Sequence, residues 1–109
     1  MKKISGNPTY FLSALFKDQY YFDSEYFYEI KNNVTFKIPL SAIISVRPGH
    51  TQVNNRRNWR VTFRNETGER SVQFYSNLTF FNQNFAEFLA VVKRENPHAD
   101  VKDLSFFNL

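Results

Sequence analysis

Six short runs rich in β-branched and aromatic residues, at 20–22, 26–30, 34–38, 43–47, 59–64 and 70–75, constrain this chain more than any other feature. Each is bounded by residues that turn the backbone: Asp23 with Ser24, Asn32 with Asn33, Pro48 with Gly49, and the tetrad 65–68. Such residues supply side-chain capping, left-handed backbone or a fixed φ. The pattern predicts a succession of antiparallel strands. Residues 9–17 fit two periods. Phe11, Leu12, Leu15 and Phe16 make a helical stripe behind Asn7 and Pro8, which suit a helix start, whereas Tyr10, Leu12, Ala14 and Phe16 alternate as in a strand. Both readings stay open, so the structure of segment 1–18 is left undecided.

Near the C-terminus the period changes. Phe81, Phe85, Phe88, Leu89 and Val92 form an apolar stripe interleaved with Asn82, Asn84, Glu87, Lys93 and Glu95, which predicts an amphipathic helix. Asn82 or Asn77 can cap its start, Lys93 and Arg94 complement the dipole in its last turn, and Pro97 ends it. The segment 101–109 that follows carries Leu104, Phe106, Phe107 and Leu109. Such a tail either folds back onto the domain or meets another chain, with Leu104, Phe106 and Phe107 as the contact residues.

A chain of 109 residues closes one core but not two, and one domain over 1–109 with its core at about 19–100 is expected. Ile, Leu, Val and Phe supply 33 residues, well above the roughly 20% of disordered compositions. With no cysteine, a disulfide framework, a thiolate metal site and a cysteine nucleophile are excluded. Met1, Lys2 and Lys3 are followed by Ile4, Ser5, Gly6, Asn7 and Pro8 instead of the apolar stretch of a secretory signal. The best apolar run, 85–92, is interrupted by Glu87 and falls short of the roughly 20 residues that span a bilayer. The expectation is a soluble, cytoplasmic protein that is not transmembrane. Asn-x-Thr triplets at Asn33, Asn65 and Asn77 are read as chance among 12 asparagines.

Charge is segregated. The net +4 belongs entirely to residues 47–70, where Arg47, Arg56, Arg57, Arg60, Arg64 and Arg70 stand against Glu66 and Glu69, and no lysine occurs in that segment. Arginine makes forked, planar contacts to phosphate and carboxylate, so the segment reads either as an anion-facing patch or as a solvated face whose arginines pair with nearby acids.

Hairpin register narrows this. Placing Tyr26, Tyr28 and Ile30 on the core face with Val34, Phe36 and Ile38 requires a three-residue loop, 31–33, that pairs Ile30 with Val34. A two-residue Asn32-Asn33 turn sets Ile30 opposite Thr35 and puts the two apolar sets on opposite faces. In the later hairpin, pairing Arg64 with Glu69, Val61 with Val72 and Trp59 with Phe74 avoids facing Glu66 against Glu69. Trp59, Val61 and Phe63 then point inward, and Arg60, Thr62 and Arg64 outward. With Arg64 facing Glu69, the excess charge narrows to Arg47, Arg56, Arg57 and Arg60, beside His50, on an eleven-residue loop at 48–58 whose one apolar residue is Val53. A loop of that length either binds something or is a plain connection.

For catalysis little is offered. His50 and His98 have no partner at a metal-ligand spacing, Asp23 and Glu25 lie across a turn, and Gly6, Gly49 and Gly68 form no phosphate-cradling motif. No enzyme and no cofactor is expected. His50 with Arg56 or Arg57 is the one constellation to test for a reaction.

Short antiparallel strands closed by one C-terminal amphipathic helix, with FKIPLSAIISV at 36–46, the hairpin at 59–75 and NFAEFLAVVKRENPHAD at 84–100, resemble the pleckstrin-homology-like family, particularly its short bacterial members. The resemblance implies a mainly β (β-rich α+β) fold: an antiparallel, strongly bent barrel of about six or seven strands capped by the helix. In that family binding uses loops at the open end or an exposed strand edge, and some members bind phosphoinositides while many bind proteins. The lipid-binding members carry basic residues between the first two strands, whereas here the arginines come later. The implied function is a non-catalytic interaction module that contacts a protein or an anionic surface through Arg47, His50, Arg56, Arg57 and Arg60. Its partner is another protein or a second copy, with an anionic lipid headgroup as a further ligand class. The alternative is a single-stranded nucleic-acid binder stacking bases on Phe27 and Tyr75.

Overall fold

The computed structural model describes residues 2–5, 19–53, 56–75 and 84–103. In chain order these form β1 (Lys2–Ser5), β2 (Gln19–Phe22), β3 (Tyr26–Lys31), β4 (Val34–Pro39), a 3-10 turn (Leu40–Ala42), β5 (Ile43–Val53), β6 (Arg56–Asn65), β7 (Gly68–Tyr75), α1 (Asn84–Glu95) and β8 (Asp100–Val101). The strands make two four-stranded sheets, ordered β1-β2-β3-β4 and β7-β6-β5-β8. All pairs are antiparallel except β5 with β8. The fold is therefore mainly β with a helix, as expected, but the described ladders form two open sheets and no closed one. Eight strands occur among the described residues where about six or seven were expected. The additions are short: β1 pairs with β2, and β8 joins β5 through Ser45 and Val46 alone. No described helix is long and apolar enough to cross a membrane. The expectations for residues 9–17, for Asn7 and Pro8, for Asn77, Phe81 and Asn82, and for the tail contacts Leu104, Phe106 and Phe107 lie outside the described residues.

The first sheet corrects one register. Lys31 pairs with Val34, Ile30 with Thr35 and Tyr28 with Lys37, so the connection is the two-residue Asn32-Asn33 turn. Both asparagines take left-handed backbone, at φ 51 and 64, which the hairpin turn that matches strand twist demands at both central positions. Turn chemistry overrides the pattern of apolar faces. Phe27 is consequently fully buried, and Tyr26, expected in the core, is only half-buried, while Val34 and Phe36 are 52% and 43% exposed. Phe27 is thereby removed as a stacking surface.

The second sheet keeps the expected register. Trp59 pairs with Phe74, Val61 with Val72 and Arg64 with Glu69, and the ladder continues to Asn65 and Gly68. The Asn65 side-chain oxygen accepts from the Thr67 N–H at 2.9 Å and its hydroxyl at 2.8 Å, and Gly68 supplies a φ of 124°. Trp59, Val61 and Phe63 are buried, while Arg60 and Arg64 are exposed.

Helix α1 joins the sheets. Its stripe of Phe85, Phe88, Leu89 and Val92 is buried, together with Val91. The Phe85 ring meets Trp59 at 4.8 Å and Phe74 at 6.0 Å, both in the second sheet. The Phe88 ring meets Phe22 at 5.5 Å and Phe27 at 5.4 Å, both in the first. At the helix end Asn96 donates to the carbonyls of Ile43 at 2.7 Å and Ser41 at 3.2 Å, anchoring α1 to the start of β5. A second joint is polar. Glu29 of β3 is 1% exposed and bonds the Arg70 guanidinium of β7 at 2.8 Å, with the Tyr20 hydroxyl at 3.5 Å. Arg70 also lies over the rings of Phe36 at 6.0 Å and Phe63 at 5.8 Å.

Candidate functional site: the basic face of the second sheet

The expected loop at 48–58 is largely strand. Pro48 pairs with Trp59, Gln52 with Arg57 and Val53 with Arg56, with a register irregularity between Pro48 and Gln52. Residues 49–51 thus oppose Asn58 alone, a bulge that bends and twists the arm. Gly49 permits the close approach, since a Cβ there would stand 2.7 Å from the Asn58 side-chain oxygen. Apolar periodicity reports burial rather than extension, so a strand arm without apolar alternation reads as a loop.

The hairpin brings the candidate residues onto one element. Arg47 and Arg60 are direct cross-strand neighbours, Arg56 and Arg57 occupy its last rungs, and His50 sits in the bulge. The side chains of His50, Arg56 and Arg57 lie outside the described residues. Register continues the outer face as three rows: Arg47, Arg60 and Gln73; Ser45, Thr62 and Ser71; Arg64 and Glu69. The Thr62 and Ser71 hydroxyls are hydrogen-bonded at 2.8 Å. Like charges directly opposite on a ladder cost stability, so the Arg47–Arg60 rung is not placed there to hold the sheet together.

Among the described arginines of segment 47–70, two are engaged within the fold. Arg47 Nη1 donates to Asp100 of β8 at 2.7 Å, which corrects its place among charges without a neighbour. With side chains 52% and 63% exposed, that pair contributes about 0–1 kcal/mol and stays open to exchange with an outside anion. Arg70 turns inward to Glu29. Arg60 and Arg64 remain on the exposed outer face, with Glu69 opposite Arg64. Sequence reasoning did not find Asp100, which follows the helix and reaches the face from 53 residues away. The hydroxyl row was accessible from the alternation of β6 but was not singled out.

The carboxylates at the β2–β3 turn serve structure. Asp23 Oδ1 accepts from the N–H groups of Glu25 at 2.9 Å and Tyr26 at 2.8 Å, and its other oxygen accepts from the Tyr28 hydroxyl. Burial opposes the Asp23 charge, but these hydrogen bonds outweigh it and hold the carboxyl below its usual 3.8. Donation to Asp23, aided by burial, pushes the Tyr28 phenol from 10.0 up to about 12. Because the folded-state value of Tyr28 is raised, its stabilising contribution is complete below pH 10.0 and lost as pH rises toward about 12. Asp23 is lowered, so its contribution is present above pH 3.8 and lost as pH falls through the folded value. In a spectrophotometric titration, Asp23→Asn is expected to move one phenolate step from about 12 back toward 10.0, and Tyr28→Phe to abolish it. A step that survives in Tyr28→Phe would belong to another tyrosine.

An open depression of about 270 Å³, lined by Glu25, Tyr26, Leu40, Ser41 and Glu95 among others, carries carboxylates and is the wrong sign for an anion. Among the described residues no three His, Asp or Glu side chains converge as a metal-ligand set. No family model, no curated protein and no solved structure matches this chain. Its chemistry therefore has to be read from the face itself.

Proposed function

We propose that the protein is a non-catalytic, pleckstrin-homology-like interaction module that meets an acidic partner surface through the outer face of its second sheet and the β5–β6 arm. The fold assignment is supported by a four-strand meander, a three-strand meander and a C-terminal helix wedged between them. The observation that carries the binding role is the exposed Arg47–Arg60 rung, with Arg64 along the same face and hydroxyls between. Forked guanidinium groups over hydroxyls suit carboxylate clusters on a protein or the headgroups of an anionic leaflet, both present in a cytoplasmic setting. Base stacking fits less well. On the outer face Ser45, Arg47, Arg60, Thr62, Arg64, Glu69, Ser71 and Gln73 carry no ring, and Tyr75 stands opposite Asn58 at its end, with a side chain that lies outside the described residues.

The probes are a labelled polyglutamate peptide and vesicles of phosphatidylglycerol, each at low and high salt. Arg60→Ser with Arg64→Ser is expected to weaken binding about tenfold or more, or about 1.4 kcal/mol, with an unchanged melting temperature because both residues are exposed. Lys31→Ser with Lys93→Ser removes the same charge elsewhere and is expected to leave binding close to wild type. Equal losses in the two double variants, or no binding to either probe at low salt, would overturn the proposal.

A further inference from the structure

Strand β4 ends the first sheet, and among the described residues nothing pairs with its outer edge. It also carries both of the large hydrophobic residues that are exposed among those described, Val34 at 52% and Phe36 at 43%. The two alternate along the strand and so share a face. Natural edge strands are usually blunted by a bulge, a proline or an exposed charge. The β3–β4 ladder runs without a bulge, and Pro39 stands only at its end. The one charged residue of β4, Lys37, sits on the opposite face, its ammonium 4.3 Å from the Tyr26 ring of its own chain.

The turn also decides which backbone groups are free for pairing. A two-residue hairpin makes Lys31 and Val34 the hydrogen-bonded closing pair, so alternation sends the N–H and C=O groups of Thr35 and Lys37, and the C=O of the turn residue Asn33, away from β3.

We infer that the protein forms a two-fold dimer in which β4 of a second copy adds antiparallel to β4, with Thr35 on the axis. In this register Thr35 faces its counterpart, Asn33 faces Lys37 of the other copy, and Val34 faces Phe36 of the other copy. The outward N–H and C=O of Thr35 pair with those of its counterpart, the Lys37 N–H meets the Asn33 carbonyl, no like charges oppose each other, and the four exposed apolar side chains cover one another. A register with Phe36 on the axis is poorer. It sets Asn33 opposite Pro39, which has no N–H to give. A strand whose residues complement themselves under a two-fold operation fits a second copy better than a foreign peptide. The dimer also carries two basic faces, so engagement of an extended acidic surface becomes bivalent.

Sedimentation velocity of the full chain over a range of concentrations tests this. The wild type is expected to pass from monomer to dimer as concentration rises, with a melting temperature that rises alongside. Val34→Lys places a charge at the apolar contact. Thr35→Pro removes an outward N–H that the β3–β4 ladder does not use. Both variants are expected to stay monomeric at concentrations where the wild type is dimeric, while keeping the wild-type circular dichroism. A wild type that remains monomeric at hundreds of micromolar overturns the inference. So does a dimer unaffected by both variants, which would place the contact elsewhere on the chain.

Discussion

Phe88→Ala is expected to destabilise the protein by about 3–5 kcal/mol, a large share of the roughly 5–15 kcal/mol that holds a domain of this kind together. The ring is fully buried and lies 5.5 Å from Phe22, 5.4 Å from Phe27 and 6.3 Å from Phe85. Rigid aromatic neighbours cannot collapse into the space left behind, so the loss includes a cavity as well as the transfer of the ring. The position matters as much as the area, because Phe88 is where α1 grips the first sheet while Phe85 grips the second. Urea unfolding measures the effect. A loss below about 1 kcal/mol would show that the helix is not the joint between the sheets.

Arg70→Ala is expected to cost about 3 kcal/mol, and more than Glu29→Gln. The asymmetry follows from burial. Without the guanidinium, the Glu29 carboxylate at 1% exposure keeps, among the described residues, only the Tyr20 hydroxyl at 3.5 Å. Without the carboxylate, an Arg70 side chain that is 39% exposed turns to water. Replacing both partners by apolar residues, as Glu29→Met with Arg70→Leu, is expected to recover most of the loss, since the penalty lies in the uncompensated charge. Thermal unfolding of the three variants gives the order. A Glu29→Gln effect equal to or larger than that of Arg70→Ala would mean that the pair does not work in this way.

These two joints explain why one arginine-rich segment has two fates. Arg70, the third residue of β7, lies on the inner face opposite Phe63, and there it ties the second sheet to β3 of the first. Arg60 and Arg64 alternate with buried Trp59, Val61 and Phe63 and are therefore held outward by the core itself. The basic face is presented by rigid strands, which limits the ordering cost of binding through it.

Much of this was legible in the residues. The β6–β7 register followed from Arg64, Glu69, Val61, Val72, Trp59 and Phe74 because charge pairing and apolar alternation agreed there. The stripe of Phe85, Phe88, Leu89 and Val92 named the face of α1 because a period near 3.6 has no competing reading. Where two local rules disagreed, as between the Asn32-Asn33 turn and the apolar faces of β3 and β4, following the apolar faces pointed to the three-residue loop 31–33, and the structure has the two-residue turn instead. Left-handed backbone at both asparagines won once the burial of Phe27 and Glu29 against the other elements could offset the exposure of Val34 and Phe36. The extension of β5 and β6 past Pro48, the return of β8, and the Arg47–Asp100 and Glu29–Arg70 pairs belong to tertiary structure alone. Their partners lie up to 53 residues apart, and no periodicity links such positions. Capping, turn and alternation preferences act over a few residues, whereas a charge finds its distant counterpart only after the sheets have closed on the core.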